Sequence, residues 1–162
     1  MTGPAPGWAS AAGRVQLSGG RGQDASGVGD RLLCAERVAR YGWAYDERDR
    51  DALAACFTAD AVWEGSLLGT TSVGPITGGG AIADWLAAFW PDQQDQRRHV
   101  LSNVVVDLAE SAATAHAYLV LLSSQDGMTS VVSAGPYRFH LERQDDGAWL
   151  LAHLAAGFDA PF

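Results

Sequence analysis

The sequence predicts an α+β domain with its helices packed on one face of a curved antiparallel sheet. Two observations carry this. Apolar residues recur at helical spacing as far as Trp90, and from residue 97 the period falls to two over four stretches, two of whose boundaries are the turn signals Asp126-Gly127 and Asp146-Gly147. The length supplies a third: 162 residues, 48% hydrophobic and 19% charged, suit one domain that folds without a disulfide or metal staple.

The elements follow in order. Residues 1–29 are mostly Gly, Ala, Ser and Pro and read as a flexible tail, in which only Trp8 and the run Val15-Gln16-Leu17 offer anything to dock on the domain or a partner subunit. The domain proper is expected over 30–162. Asp30 is the expected N-cap of a first helix with Leu32, Ala35, Val38, Ala39, Gly42 and Tyr45 as its apolar stripe, and Glu36, Arg37 and Arg40 on the other face. It should end near Tyr45-Asp46, before a short second helix striped by Leu53, Cys56 and Phe57. Thr58-Ala59-Asp60 then turns the chain into a strand, 61–64, and 66–80 reads as a loop or hairpin in which Pro75 limits regular pairing. Ile82, Trp85, Leu86, Phe89 and Trp90 outline a third helix stopped by Pro91. The ranges 97–108, 112–124, 128–143 and 147–157 form an antiparallel meander. In its third strand Ser133, Gly135, Tyr137, Phe139 and Leu141 should face inward, with Ala134, Arg138, His140 and Glu142 toward solvent.

The charge pattern excludes several chemistries. All eleven basic residues are Arg, against 19 acidic ones, for a formal net charge of −8. Without Lys there is no Schiff base and no P-loop lysine. An acidic chain also gains nothing by counterion release from nucleic acid or an anionic membrane, so a small neutral or apolar ligand is the expected partner. No apolar run reaches the roughly 18 residues of a membrane span, and the N-terminus lacks a charged-then-apolar signal pattern, so a cytoplasmic location is expected. Cys34 and Cys56 lie in apolar helical stretches without metal-ligand spacing and read as inert buried thiols.

The candidate functional residues are histidines, one aspartate and aromatics. His99 opens a strand in which Leu101, Asn103 and Val105 should share its face, so that His99 and Asn103 point together into whatever the sheet encloses. His153 sits in a very apolar final strand, where an ionisable group needs a partner. His140 reads as solvated, and His116 has no assignable face. Asp46 lies at the end of the first helix beside Tyr45 and would orient an imidazole if that helix end met the first long strand. Trp43, Tyr45, Trp63, Trp85, Trp90, Tyr118 and Tyr137 exceed what filling the core requires; some are core, and some should line a cavity with their polar tips orienting a ligand.

The order of Ala-Tyr-Asp-Glu-Arg-Asp (44–49), Phe-Thr-Ala-Asp-Ala-Val-Trp (57–63), Gly-Ala-Ile-Ala-Asp-Trp-Leu (80–86), Arg-His-Val-Leu-Ser-Asn (98–103), Gly-Pro-Tyr-Arg-Phe-His-Leu-Glu-Arg (135–143) and Asp-Gly-Ala-Trp-Leu-Leu-Ala-His (146–153) resembles the SnoaL-like branch of the nuclear transport factor 2-like superfamily. The resemblance spans about residues 30–157. It implies a cone-shaped half-barrel whose sheet wraps one long helix around a deep pocket, and a homodimer formed through the outer sheet face. Within the superfamily the pattern is similar to those of scytalone dehydratase and hexachlorocyclohexane dehydrochlorinase, cofactor-free lyases with an Asp where this chain has Asp46 and a His where it has His99. Tyr45 matches the tyrosine preceding the dehydratase aspartate, and His153 falls where the dehydrochlorinase has a basic residue. The dehydratase's second pocket histidine is replaced by Ser123, Ser124 or Gln125 and its pocket asparagine by Tyr137, so its own reaction is not implied.

The resulting expectation is an acid–base cyclase, dehydratase, lyase or isomerase that uses no cofactor and no metal. Its substrate would be a hydrophobic polyketide-like or other secondary-metabolite intermediate. Asp46, His99 and Tyr45 would be catalytic; Trp43, Trp63, Trp90, Asn103, Tyr118, Tyr137 and His153 would contact substrate. The rival expectation is a non-catalytic ligand-binding or subunit-association domain.

Overall fold

The structure, a computed structural model, describes residues 27–161. The expectations for residues 1–26, including the tail and docking by Trp8 or Val15–Leu17, lie outside the described residues. The element order is α1 (Val28–Asp46), α2 (Arg50–Ala54), β1 (Phe57–Leu67), β2 (Thr71–Thr77), α3 (Gly79–Ala87), a 3-10 turn (Trp90–Asp92), β3 (Gln96–Leu108), β4 (Ala112–Gln125), β5 (Met128–Arg143) and β6 (Trp149–Phe158). The strands make one curved six-stranded sheet, β2-β1-β6-β5-β4-β3, that does not close. The expected β3–β6 meander is antiparallel throughout, whereas β1 joins β6 in parallel and makes the sheet mixed.

The first helix starts three residues early and is rotated from its expected phase. Gly27, at φ 73°, precedes it. Asp30 makes no cap: its carboxylate accepts a hydrogen bond from Trp149 Nε1 at 2.9 Å, and the Arg31 guanidinium donates to the Val106 carbonyl. These two polar anchors turn residues 30 and 31 toward the sheet, so the buried stripe runs Cys34, Val38, Tyr41, Gly42, Tyr45, while Leu32 is 68% exposed. Burial pushes the Cys34 thiol up to about 11, as befits an unreactive core cysteine.

Phe57 opens β1 rather than closing α2, and Thr58-Ala59-Asp60 lies within the strand, where the register against β6 is irregular between Phe57 and Val62. The 66–80 stretch is a hairpin followed by the start of α3. Pro75 is accommodated because β2 is an exposed edge strand. The third helix ends at Ala87, and Trp90 belongs to the separate 3-10 turn.

On the inner face the expected β5 row is buried as a set: Ser133, Gly135, Tyr137, Phe139 and Leu141. Large residues face small ones across the β4–β5 ladder, Tyr137 opposite Ala117, Phe139 opposite Ala115 and Leu141 opposite Ala113. This pairing keeps the row level enough for α1 to lie over the sheet, chiefly across β3.

Candidate active site

A cavity of about 400 Å³ opens between α1, α3 and the inner face of the sheet. Such a volume lies within the range that encloses a drug-sized ligand. One wall is aromatic: Trp63 from β1 lies tilted against Trp85 of α3 at 4.6 Å between ring centroids, and Phe89 meets Trp85 edge-on at 5.1 Å. The Trp63 indole fits because residue 65 is glycine, where a Cβ would stand 2.7 Å from Trp63 Cη2. The opposite wall is phenolic, with Tyr41 and Tyr45 one turn apart on α1 and Tyr137 on β5.

His99 lies in the cavity lining between these walls. Its Nδ1 is 2.6 Å from Asp46 Oδ1, and its backbone N–H donates to Asp46 Oδ2 at 2.7 Å. One carboxylate thus fixes both the strand and the ring it carries. A carboxylate accepts, so Nδ1 holds the proton and Nε2 is the nitrogen left for the cavity. Both side chains are buried, His99 7% and Asp46 6% exposed. The Tyr45 ring packs edge-on to the imidazole at 4.8 Å and Tyr41 at 6.3 Å. Helix and strand pack closely here: a Cβ at Gly42 would stand 3.4 Å from both His99 Cβ and Leu101 Cδ1, at van der Waals contact.

The segment before β3 is tied to the end of α1. Arg48 donates to the carbonyls of Gln93 (2.6 Å) and Asp95 (3.1 Å), Gln93 Nε2 donates to Tyr45 Oη (3.0 Å), and Gln96 Nε2 donates to the Asp46 carbonyl (2.9 Å). Asp95 and Arg97 form an ion pair at 2.5 Å at the cavity edge. Burial alone would raise the Asp95 carboxyl, but the Ser123 hydroxyl and the Arg97 guanidinium override it and hold the group below its usual value. Burial pushes all three cavity phenols up, Tyr137 well above its ordinary value, so they stand as neutral donors.

Of the sequence candidates, Tyr45, Trp63, His99 and Tyr137 line the cavity, with Asp46 directly behind His99. Trp90 lies behind the wall, edge-on to Tyr45 at 5.9 Å. Four expected contacts are corrected. Trp43 is 65% exposed on the outer side of α1, because the buried stripe runs through residues 41, 42 and 45. Tyr118 is 57% exposed on the outer face, since the buried β4 positions are odd-numbered.

Asn103 and His153 are displaced by irregularities that reset strand parity. At Asn103 (φ 54°) the β3–β4 register shifts between Ser102 and Val105, so the inward set continues as Val104, Val106 and Leu108, leaving Asn103 and Val105 exposed. In β6 the register against β5 shifts between Leu151 and His153, which puts His153 on the outer face beside His140 (5.6 Å) and within 3.2 Å of Glu64. His140 is likewise half-buried rather than solvated, with Nδ1 3.1 Å from Thr114 Oγ1, and His116 lies on that same outer face.

Sequence reasoning missed Tyr41, Gln93 and Arg97. Tyr41 was legible as the residue one turn before Tyr45 on the same stripe, whereas Gln93 and Arg97 acquire their places only through contacts across the chain. Among the described residues no group of three or more His, Cys, Asp or Glu side chains is placed to hold a metal ion, and no helix is long and apolar enough to cross a membrane.

A family model described as a SnoaL-like domain matches residues 28–155. No curated protein matches the chain. Among solved structures it is similar to a protein from Catenulispora acidiphila in complex with S-DNPA, at 28% identity over 80% of this chain and 93% of that one, with a TM-score of 0.69. It is also similar to an NTF2-like protein with a cystatin-like fold from Novosphingobium aromaticivorans (22% identity, 83% and 85% covered, TM-score 0.67). A candidate beta subunit of an aromatic-ring-hydroxylating dioxygenase from the same species (18%, 82% and 91%, TM-score 0.68) shares the fold as well.

Proposed function

Since the chain belongs to the SnoaL-like domain family, we propose that it is an acid–base enzyme, a cyclase, lyase or isomerase, acting on a hydrophobic oxygenated small molecule of polyketide or other secondary-metabolite type. The observation that carries this reading is the Asp46–His99 pair, 2.6 Å apart and buried, with His99 in the wall of an aromatic cavity. His99 Nε2 takes a proton from a carbon or hydroxyl of the substrate. The positive charge that forms on the imidazole meets the Asp46 carboxylate and the negative end of the α1 dipole, which Asp46 terminates. Tyr45 or Tyr137, kept neutral, donates a hydrogen bond to the oxygen on which negative charge develops. Closing a ring, expelling a leaving group and moving a double bond all use these parts.

The Catenulispora complex supports a small-molecule ligand in this fold. Homodimerisation is part of the same proposal. It would use the outer sheet face, where Tyr118, Val100 and Val105 stand exposed.

The test is proton exchange. Incubated in deuterium oxide with a panel of fused-ring enolisable ketones, the protein should catalyse loss of α-proton signals in the NMR spectrum, and His99→Gln should abolish that loss while retaining ligand binding. Equal exchange by His99→Gln and the unaltered protein would overturn the proposal. Binding without any exchange across the panel would favour the non-catalytic alternative.

A further inference from the structure

Two successive inward positions of β3 repeat one arrangement. His99 Nδ1 stands 2.6 Å from Asp46 Oδ1, and Arg97, the neighbouring inward residue, holds its Nε 2.5 Å from Asp95 Oδ2. Both nitrogen groups belong to the cavity lining, while both carboxylates sit behind them, 6% and 8% exposed. One strand repeat, roughly 6.6 Å, separates the two side chains. Arg97 is 16% exposed, and among the described residues Asp95 is the one partner of its guanidinium. A buried ion pair adds little to stability over apolar residues of the same size, so a charge kept in a cavity wall calls for another use. The guanidinium carries more N–H donors than a single carboxylate oxygen takes up. Among the described residues of the lining it is also the only permanent positive charge, and the acidic member, Asp92, is solvent-exposed. Its place is fixed from two sides: Arg97 pairs with Ser123 in the β3–β4 ladder, and Arg48 donates to the Asp95 carbonyl at 3.1 Å. A charge held rigidly in an apolar wall needs no reorganisation when a reaction develops the opposite charge beside it.

We propose that Arg97 is a further catalytic residue, whose guanidinium binds the substrate oxygen on which negative charge develops as His99 takes the proton. This rests on the acid–base reading above and deepens it by adding a fixed cation to the neutral phenols. The step balances: the C–H or O–H bond breaks, the proton goes to His99 Nε2, and the electron pair passes to the oxygen that accepts from Arg97. The new anion then meets two cations, imidazolium and guanidinium, each backed by its own buried carboxylate.

Two readouts test it on the full-length protein. The first is binding, by titration calorimetry, of indane-1-carboxylate and its uncharged isostere indane-1-carboxamide. The unaltered protein should bind the carboxylate more tightly than the carboxamide, and Arg97→Met should weaken the carboxylate about tenfold or more while moving the carboxamide less. Because Arg97→Met leaves Asp95 without its partner, the double variant Asp95→Asn with Arg97→Met removes both charges together and should lose the same preference while staying folded by circular dichroism. The second readout is α-proton exchange of the ketone panel, whose kcat should fall by roughly 10²-fold in either variant with little change in KM. A carboxylate bound no more tightly than the carboxamide, a preference that survives in the folded double variant, or an unchanged exchange kcat would overturn the inference. The two readings separate: exchange lost in His99→Gln and untouched by the Arg97 variants sinks the role of Arg97 and leaves the acid–base function standing. An Arg97-dependent preference for the carboxylate, with no exchange by any of the proteins, sinks the acid–base function and upholds Arg97 as the anion-binding residue of the cavity.

Discussion

Asp46 uses its two oxygens for two tasks, Oδ2 on the His99 backbone and Oδ1 on the ring. The first is structural and the second sets the tautomer. Asp46→Asn separates them, because an amide fills the same volume but can present N–H to Nδ1, which moves the ring proton to Nε2 and removes the base. Exchange activity should fall by roughly 10²–10⁴-fold, while the melting temperature and the affinity for the ketones change little. A variant whose activity and stability fall together would place Asp46 in a scaffold role only. The pair spans 53 positions of sequence, so no local pattern reveals it; family resemblance suggested it. The neutral phenols show the same division. Tyr45 and Tyr137 were legible as cavity aromatics, but the Gln93 donor to Tyr45 was not, because a hydrogen bond between distant segments leaves no periodic trace.

At the level of elements, alternation predicts a strand's inward face only as far as its first bulge. It held along β5 from Ser133 to Leu141, and along β3 through His99 and Leu101. It failed beyond Asn103 and at His153, where one unpaired residue exchanges the faces of everything that follows. Asn103 was itself a signal, since Asn tolerates the left-handed conformation it adopts here. Asn103→Gly should keep stability close to that of the unaltered protein. Asn103→Val should cost about 1–2 kcal/mol, measured by chemical denaturation, and loosen the strand that carries His99. Equal stability of the two variants would mean the bulge is not constrained by φ. The α1 phase failed for another reason. Asp30 and Arg31 are polar, and hydrophobic periodicity gives no weight to residues that face a sheet through hydrogen bonds.

Across the whole molecule the sheet divides two chemistries. The inner face holds the cavity, and the outer face carries His116, Arg138, His140 and His153 with Glu64. Burial first, and Arg138 and the neighbouring histidines second, lower the proton affinity of His140 below its usual 6.5; burial and Arg138 do the same at His116, against the opposing pull of Asp107. Groups that prefer to be neutral when folded stabilise the fold fully above the unfolded value. As pH falls below about 6.5 the unfolded chain binds protons first, and stability declines until the folded histidines also titrate. The melting temperature should therefore drop from pH 7.5 to 5.5, and His116→Asn with His140→Gln should flatten that drop; an unchanged slope would rule these residues out as its source. The sequence alone determined the α+β class, the meander with its turns, and a set of candidate side chains drawn from imidazole, carboxylate and phenol, because composition and short-range periodicity are local properties. Only the tertiary structure decided which face each side chain took and which partners met across the cavity, because bulges, the helix phase and long-range hydrogen bonds arise where segments remote in sequence are packed together.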